Sequence, residues 1–85
     1  MEILYKPSFI RDLNKLPNQL QEEVFEKIEL FKDTENHNKL KVHKLKGKLH
    51  GSYSFSVNYS HRIVFEYDVK DIIIFIALGT HDVYR

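Results

Sequence analysis

The spacing of apolar residues changes from helical to strand-like near the middle of the chain. Two apolar stripes at helical spacing predict two helices: Phe9, Leu13, Leu16 and then Leu20, Val24, Ile28, Phe31. Pro7 suits the first turn of the first helix, and Pro17 ends it. Asn18 is predicted to cap the second helix, with Gln21 placed as in a capping box.

Strand patterns follow in the second half. Residues 52–59 alternate between apolar and polar types, which predicts a strand buried on one face. A second strand is predicted over 62–67. Its apolar face matches that of the first strand in the pairs Val57–Ile63, Phe55–Phe65 and Tyr53–Tyr67. This register places Arg62 beside Asn58 on the polar face, where a ligand would meet the sheet. The apolar run 72–78 predicts a strand buried on both faces.

The order of these elements predicts an α+β fold. It consists of an N-terminal strand over 2–5, an antiparallel two-helix hairpin and a three-stranded antiparallel meander, with the helices packed on one face of the sheet. A chain of 85 residues suits one domain spanning 1–85. The absence of cysteine excludes disulfides and thiolate chemistry, and fits a reducing cytoplasm. Without a signal-peptide pattern or a membrane-spanning run, we expect a cytoplasmic protein.

Charge is unevenly distributed, although the formal net charge is only +1. Six of the twelve acidic residues lie between Glu22 and Glu35, and five of the thirteen basic residues lie between Lys39 and Lys48. One interpretation is a solvated acidic helix face beside a solvated basic strand or loop. The other is a local phosphate-binding surface. Charge alone leaves both open.

Polar, titratable groups follow the last predicted strand. After Gly79 the chain carries His81, Asp82, Tyr84 and Arg85. The histidines lack the spacing of a metal site, and the chain contains no glycine-rich phosphate loop. Histidine, lysine, arginine and tyrosine suffice without metal for cleavage of RNA by its own 2′-hydroxyl. That reaction needs a base, an acid and cations around the phosphorane.

Four segments, taken in order, resemble the RelE/ParE toxin superfamily, and most closely its RelE, YoeB and YafQ-like branch: HKLKG at 43–47, GSYS at 51–54, HRIVF at 61–65 and GTHDVYR at 79–85. The resemblance covers nearly the whole chain. It implies the toxin of a type II toxin–antitoxin pair, which enters the ribosomal A site and cuts mRNA without metal or cofactor. A cognate antitoxin would neutralise it. No membrane partner is implied, and no DNA contact except through the antitoxin.

The resemblance also implies roles for individual residues. Arg62 would contact the scissile phosphate, and His81 would be the general acid. His43 is a candidate base, and Tyr84 would orient a nucleotide. Further RNA contacts are implied for Lys44, Lys46, Lys48, His61 and Arg85.

One departure from the family pattern leaves the activity open. Many relatives read Tyr-Arg-x-Arg where this chain has Tyr53-Ser54-Phe55-Ser56. Either Arg85 or a lysine from 44–48 substitutes for the missing cations, or activity is weak, or the target differs. A ParE-like, non-enzymatic inhibitor of DNA gyrase is therefore one alternative, and an inactive homologue that only binds its antitoxin is another.

Ordinary structural roles stand beside the catalytic ones. Arg62 could simply pair with Glu66 on the same strand face, and His43 could be a surface histidine. Tyr84 could pack the chain end against the sheet. His37, His50 and His61 are expected to be solvated, although His61, next to Arg62, is also a candidate RNA contact.

Overall fold

The structure, a computed structural model, describes residues 1–47, 51–80 and 83. Its elements are β1 (Glu2–Tyr5), α1 (Pro7–Asn14), α2 (Asn18–Phe31), a 3₁₀ turn (Thr34–Asn36), β2 (His43–Lys44), β3 (Tyr53–Ser56), β4 (Arg62–Tyr67) and β5 (Ile72–Gly79). The strands form one sheet in the order β1-β5-β4-β3-β2, in which β1 runs parallel to β5 and the other pairs are antiparallel. The predicted α+β layout is confirmed. The two-residue β2 lies in the basic segment 39–48, for which the sequence left a strand or a loop open.

A cluster of phenylalanines joins the helices to one face of the sheet. Phe31 of α2 stacks on Phe55 with ring centroids 4.5 Å apart, and it meets Phe65 and Phe75 edge-on at 5.0 and 5.7 Å. Phe9 of α1 lies 5.4 Å from Phe75. All five rings are fully buried. Because aromatic pairs favour such offset and edge-on geometries, the cluster fixes both helices against β3, β4 and β5.

The joint between the helices differs from the predicted capping box. Pro17 itself is the N-cap of α2, and its carbonyl accepts hydrogen bonds from the backbone N–H groups of Leu20 and Gln21. The Gln21 side chain instead donates to the carbonyls of Leu13 and Leu16, both at 3.0 Å. Asn18 is therefore the first helical residue and not the cap. The extended backbone of Pro17 already occupies the cap position.

The register between β3 and β4 is shifted by two residues from the predicted one. The observed pairs are Tyr53–Phe65, Ser54–Val64, Phe55–Ile63 and Ser56–Arg62. An even shift keeps every side chain on its expected face, so the apolar face was predicted correctly. The connecting loop is longer than predicted because the side chain of Asn58 closes it. Its Oδ1 accepts from the backbone N–H groups of Ser60 and His61, both at 2.8 Å.

The prediction that β5 is buried on both faces was wrong. Ile73, Phe75 and Leu78 are buried, whereas the other side chains of the strand are only half-buried. The spacing changes after Phe75 because Val64 pairs with Ala77 while Phe65 pairs with Phe75, which leaves Ile76 as an extra residue in a bulge. Only one face of β5 lies under the helical layer.

Two further expectations are corrected. His37 is not a solvated side chain, because its ring stacks on Phe31 at 4.6 Å and its Nε2 lies 2.8 Å from the carbonyl oxygen of Phe31. His50 lies outside the described residues. The acidic face of α2 is exposed as expected, apart from Glu23, which is half-buried and accepts a hydrogen bond from Asn58. Within the described part of the chain, no helix is both long and apolar enough to cross a bilayer.

Candidate functional site

Arg62 begins β4 at one end of the sheet. It pairs with Ser56 of β3 on one side and with Gly79 of β5 on the other. Its Nη1 donates to the carbonyl of Asn58 at 2.9 Å and to that of His61 at 3.2 Å. The β3–β4 loop therefore holds the guanidinium through one nitrogen. Its remaining N–H groups are the donors that a phosphate would need.

The alternative ion pair between Arg62 and Glu66 does not form. The Glu66 carboxylate instead accepts a hydrogen bond from the Ser52 hydroxyl at 3.2 Å. Among residues 1–47, 51–80 and 83, ion pairs join only the N-terminus to Asp71 and Lys32 to Glu29. Arg62 thus has no carboxylate partner within the described chain.

Two surface depressions meet at Arg62. The first, of about 440 Å³, is lined by four cations, one acid and neighbouring loop residues: Lys27, Lys39, Lys41, Arg62, Glu23, Leu40, Ser56, Val57, Asn58 and Tyr59. We call it the lysine groove. The second, of about 480 Å³, is lined by Tyr59, Ser60, Arg62 and Thr80. The excess of cations in the first depression makes it suited to an anionic ligand.

Lys39 and Lys41 belong to the basic segment 39–48, for which a phosphate-binding surface was one interpretation, but their position beside Arg62 and the participation of Lys27 were not predicted. Lys39 and Lys41 flank the buried Leu40, whose carbonyl accepts from the backbone N–H of Ser56 at 2.7 Å. Lys41 adopts a left-handed backbone conformation with φ of 58°. The pattern Lys39-Leu40-Lys41 indicates that both lysine side chains point away from the core when the leucine between them is buried. The left-handed conformation of Lys41 leaves no signal in the residue types, because lysine does not favour it.

His43 lies farther along the same face of the sheet. His43 lies on β2 and pairs with Ser54 of β3, which in turn pairs with Val64 of β4. It is therefore two strands away from Arg62 and offset from it by two residues along the strands. Sheet geometry puts the two Cα atoms roughly 12 Å apart. The exposed ring of His43 has its Nδ1 2.8 Å from the carbonyl oxygen of Lys41. Because a carbonyl only accepts, Nδ1 is the donor. In the neutral ring, Nε2 then carries the free lone pair.

The other proposed RNA contacts are separated by the fold. Lys44 is exposed and pairs with Tyr53, so its side chain projects to the face opposite that of His43. Lys46 is exposed beyond the end of β2. His61 is half-buried beside Arg62, with its Nδ1 3.3 Å from Asn58 Oδ1. Of these three residues, only His61 is next to Arg62.

Four of the candidate residues lie outside the described part of the chain: Lys48, His81, Tyr84 and Arg85. The described neighbours show where β5 leads. Thr80 borders the second depression together with Arg62, and its carbonyl accepts from the backbone N–H of Val83 at 2.9 Å. The chain after β5 thus begins at the Arg62 end of the sheet.

The serine face of the sheet is less open than predicted. Ser52 and Ser54 are buried, at 4 % and 0 % exposure, and Val64 beside Ser54 is also buried. Ser56 is half-buried and lines the lysine groove. The accessible polar part of this face is therefore its Arg62 end. In the described residues, no group of three or more histidine or carboxylate side chains could hold a metal ion.

Comparison with known proteins places the chain in a family. The family model described as the RelE-like toxin of the type II toxin–antitoxin system HigB matches residues 5–81. The chain belongs to this HigB-like family of RelE-like toxins. A search of curated proteins returns no match for the toxin.

Solved structures support the fold of this toxin. A conserved hypothetical protein from Helicobacter pylori is 23% identical with a TM-score of 0.74, over 100% of this chain and 99% of that one. The YoeB–YefM complex from Staphylococcus aureus is 22% identical with a TM-score of 0.72, over 95% of this chain and 97% of that one. The archaeal RelE–RelB complex from Pyrococcus horikoshii is 19% identical with a TM-score of 0.71, over 93% of this chain and 92% of that one. At these identities the similarity shows a common fold.

Proposed function

We propose that this toxin is a ribosome-dependent, metal-independent endoribonuclease that cuts mRNA. The observation that carries the proposal is the setting of Arg62. Its guanidinium is held through Nη1 by two loop carbonyls, lacks a carboxylate partner in the described chain and borders two open depressions. An arginine held in this way can donate two parallel hydrogen bonds to a phosphate and stabilise the charge that develops on it.

The reaction needs only proton transfers in addition to this cation. A base takes the proton of the 2′-hydroxyl while the 2′-oxygen attacks phosphorus. The bond from phosphorus to the 5′-oxygen then breaks, and an acid protonates that oxygen. The products are a 2′,3′-cyclic phosphate and a 5′-hydroxyl end. Since its Nδ1 donates to Lys41, His43 offers a free Nε2 lone pair for the base. The acid role of His81 and the orienting role of Tyr84 rest on the resemblance.

A cognate antitoxin is the proposed protein partner. The family description names a type II toxin–antitoxin system. Two of the similar structures are complexes with a second protein, YefM in one and RelB in the other. We propose that such a partner covers the Arg62 end of the sheet and so blocks entry into the ribosomal A site. The ribosome and its mRNA are the other proposed partners, and the cytoplasm is the proposed location.

One observation favours the second candidate, a ParE-like gyrase inhibitor. The side chain of Ser54 is fully buried, at a position where many relatives carry an arginine. A buried serine supplies no cation to a phosphate. If no other cation took this place, the toxin would lack part of the charge that RNA cleavage requires. An inactive homologue that only binds its antitoxin would share this feature.

Induced expression in a bacterium without the antitoxin, followed by mapping of transcript 5′ ends, distinguishes these functions. New 5′-hydroxyl ends inside translated frames, absent when initiation is blocked, are the expected result. Arg62→Ala should abolish them, and Arg11→Ala, which changes an exposed arginine on α1, should not. DNA-damage signalling with intact mRNA would instead indicate gyrase inhibition. Absence of growth arrest would indicate a binding protein without chemistry.

A further inference from the structure

The β3–β4 loop presents an aromatic side chain that the core does not use. Tyr59 is 97 % exposed, although tyrosine rings are usually buried at least in part. The loop around it is ordered by Asn58, which accepts from the backbone N–H groups of Ser60 and His61. Asn58 Nδ2 also donates to Glu23 Oε1 of α2 at 2.7 Å. The loop is thus tied to the helix while the ring of Tyr59 stays in solvent.

Tyr59 borders the lysine groove, which is lined by four cations. Lys27, Lys39, Lys41 and Arg62 line the groove, and Glu23 is the acid among its lining residues. The Glu23 carboxylate is already engaged by Asn58. No ion pair within the described chain neutralises any of the three lysines. Four cations against one carboxylate leave the groove with a net positive charge next to an exposed aromatic side chain.

We infer that Tyr59 and the lysine groove form a binding site for single-stranded RNA. A base stacks on Tyr59, and two neighbouring backbone phosphates contact Lys39 and Lys41, one each. Exposed aromatic rings beside a cationic groove are the usual means of binding single strands. Tyr59 and Arg62 border both depressions, so the strand passes from the lysine groove across Arg62 toward Thr80. This inference rests on the proposed function, because it names how the substrate is held there.

The site also accounts for the family cations that this chain lacks. Ser56, at one of the two serine positions, lines the same groove as Lys39 and Lys41. The lysines thus bring charge to the place that an arginine at position 56 would reach. The candidates considered from the sequence, Arg85 and lysines 44–48, are not needed for this purpose. An acidic protein segment would also be attracted to the lysines, but it would have no need of the ring.

Binding of a short fluorescein-labelled oligouridine, 2′-O-methylated to prevent cleavage, tests the site on the full-length toxin. Tyr59→Ala should weaken binding about 5- to 150-fold, the range that one stacked base accounts for. Tyr59→Phe should retain binding because it keeps the ring. Lys39→Ala with Lys41→Ala should reduce the slope of log affinity against log salt by about 1.4, for two phosphate contacts on a single strand.

A matched double variant controls for net charge. Lys6→Ala with Lys70→Ala removes two exposed lysines away from the groove and should leave the slope unchanged. Equal affinity of Tyr59→Ala and wild type would overturn the inference. So would tighter binding of a glutamate-rich peptide, dependent on the lysines but not on Tyr59. Cleavage on ribosomes is measured separately. If oligouridine binding depends on Tyr59 but mRNA is not cleaved, the proposed reaction is refuted. If mRNA is cleaved equally well with and without Tyr59, only this inference is refuted.

Discussion

At the scale of single residues, Arg62 offers the most direct test of the chemistry. We expect Arg62→Ala to lower the rate of mRNA cleavage by about 10²- to 10³-fold, because one group that stabilises the transition state is lost. Arg62→Lys should recover only part of this rate. An ammonium is a point charge, and it cannot reproduce the planar fork that binds two phosphate oxygens. Single-turnover cleavage on purified ribosomes measures both variants, and full activity of Arg62→Ala would contradict the assignment.

The roles of His43 and His81 can be separated by changing the leaving group. We expect His43→Ala and His81→Ala each to slow cleavage by about 10²- to 10⁴-fold. An RNA with sulfur in place of the 5′-oxygen has a leaving group that needs no proton. This substrate should restore the rate of His81→Ala, the acid variant, and leave His43→Ala slow. Asn38→Ala, an exposed change in the segment before β2, serves as the control. Normal cleavage by His43→Ala would make His43 an ordinary surface histidine.

At the scale of elements, the joint between α1 and α2 depends on one side chain. Gln21→Ala removes the hydrogen bonds to the carbonyls of Leu13 and Leu16, which close the end of α1. We expect the free energy of unfolding to fall by about 2 kcal/mol, as two net hydrogen bonds would give. Gln19→Ala, an exposed glutamine in the same turn of α2, should change it by less than about 0.5 kcal/mol. Urea unfolding measures both, and equal midpoints would refute the role of Gln21.

The elements themselves could be predicted because each follows from a local period. The stripes of α1 and α2 and the alternation in β3 and β4 depend only on which positions are apolar. The register between β3 and β4 could not be predicted, because it depends on how Asn58 closes the connecting loop through side-chain hydrogen bonds. The bulge at Ile76 was hidden for a related reason. A run of apolar residues looks the same with or without an extra residue in the ladder.

At the scale of the whole molecule, the lysine groove shows what sequence reading misses. Arg62 was identified because a family motif marks it. Its neighbours come from α2, from the segment before β2 and from the β3–β4 loop, which are far apart in the sequence. Two contacts assemble them: the Leu40 carbonyl with the Ser56 N–H, and Glu23 with Asn58. Neither contact has a periodic pattern, so residue order alone could not bring Lys39 and Lys41 to Arg62.

The phenylalanine cluster connects this assembly to overall stability. Phe31 contacts three rings of the sheet and also stacks on His37, which precedes the two lysines. Phe31→Ala should lower the free energy of unfolding by about 3–5 kcal/mol. The total free energy of unfolding of a chain of this size is only about 4–13 kcal/mol, so much of the variant would unfold. Phe31→Leu keeps most of the volume and should cost less.

Urea unfolding followed by circular dichroism measures these losses. Because a ligand that binds only the folded state stabilises it, added antitoxin should raise the melting temperature of the Phe31→Ala variant. Phe25→Ala, which changes a half-exposed ring on the same helix, is the control and should cost less than Phe31→Ala. If Phe31→Ala stayed within about 1 kcal/mol of wild type, the cluster would not be the main support of the fold. The segment that holds Lys39 and Lys41 would then depend on its own hydrogen bonds.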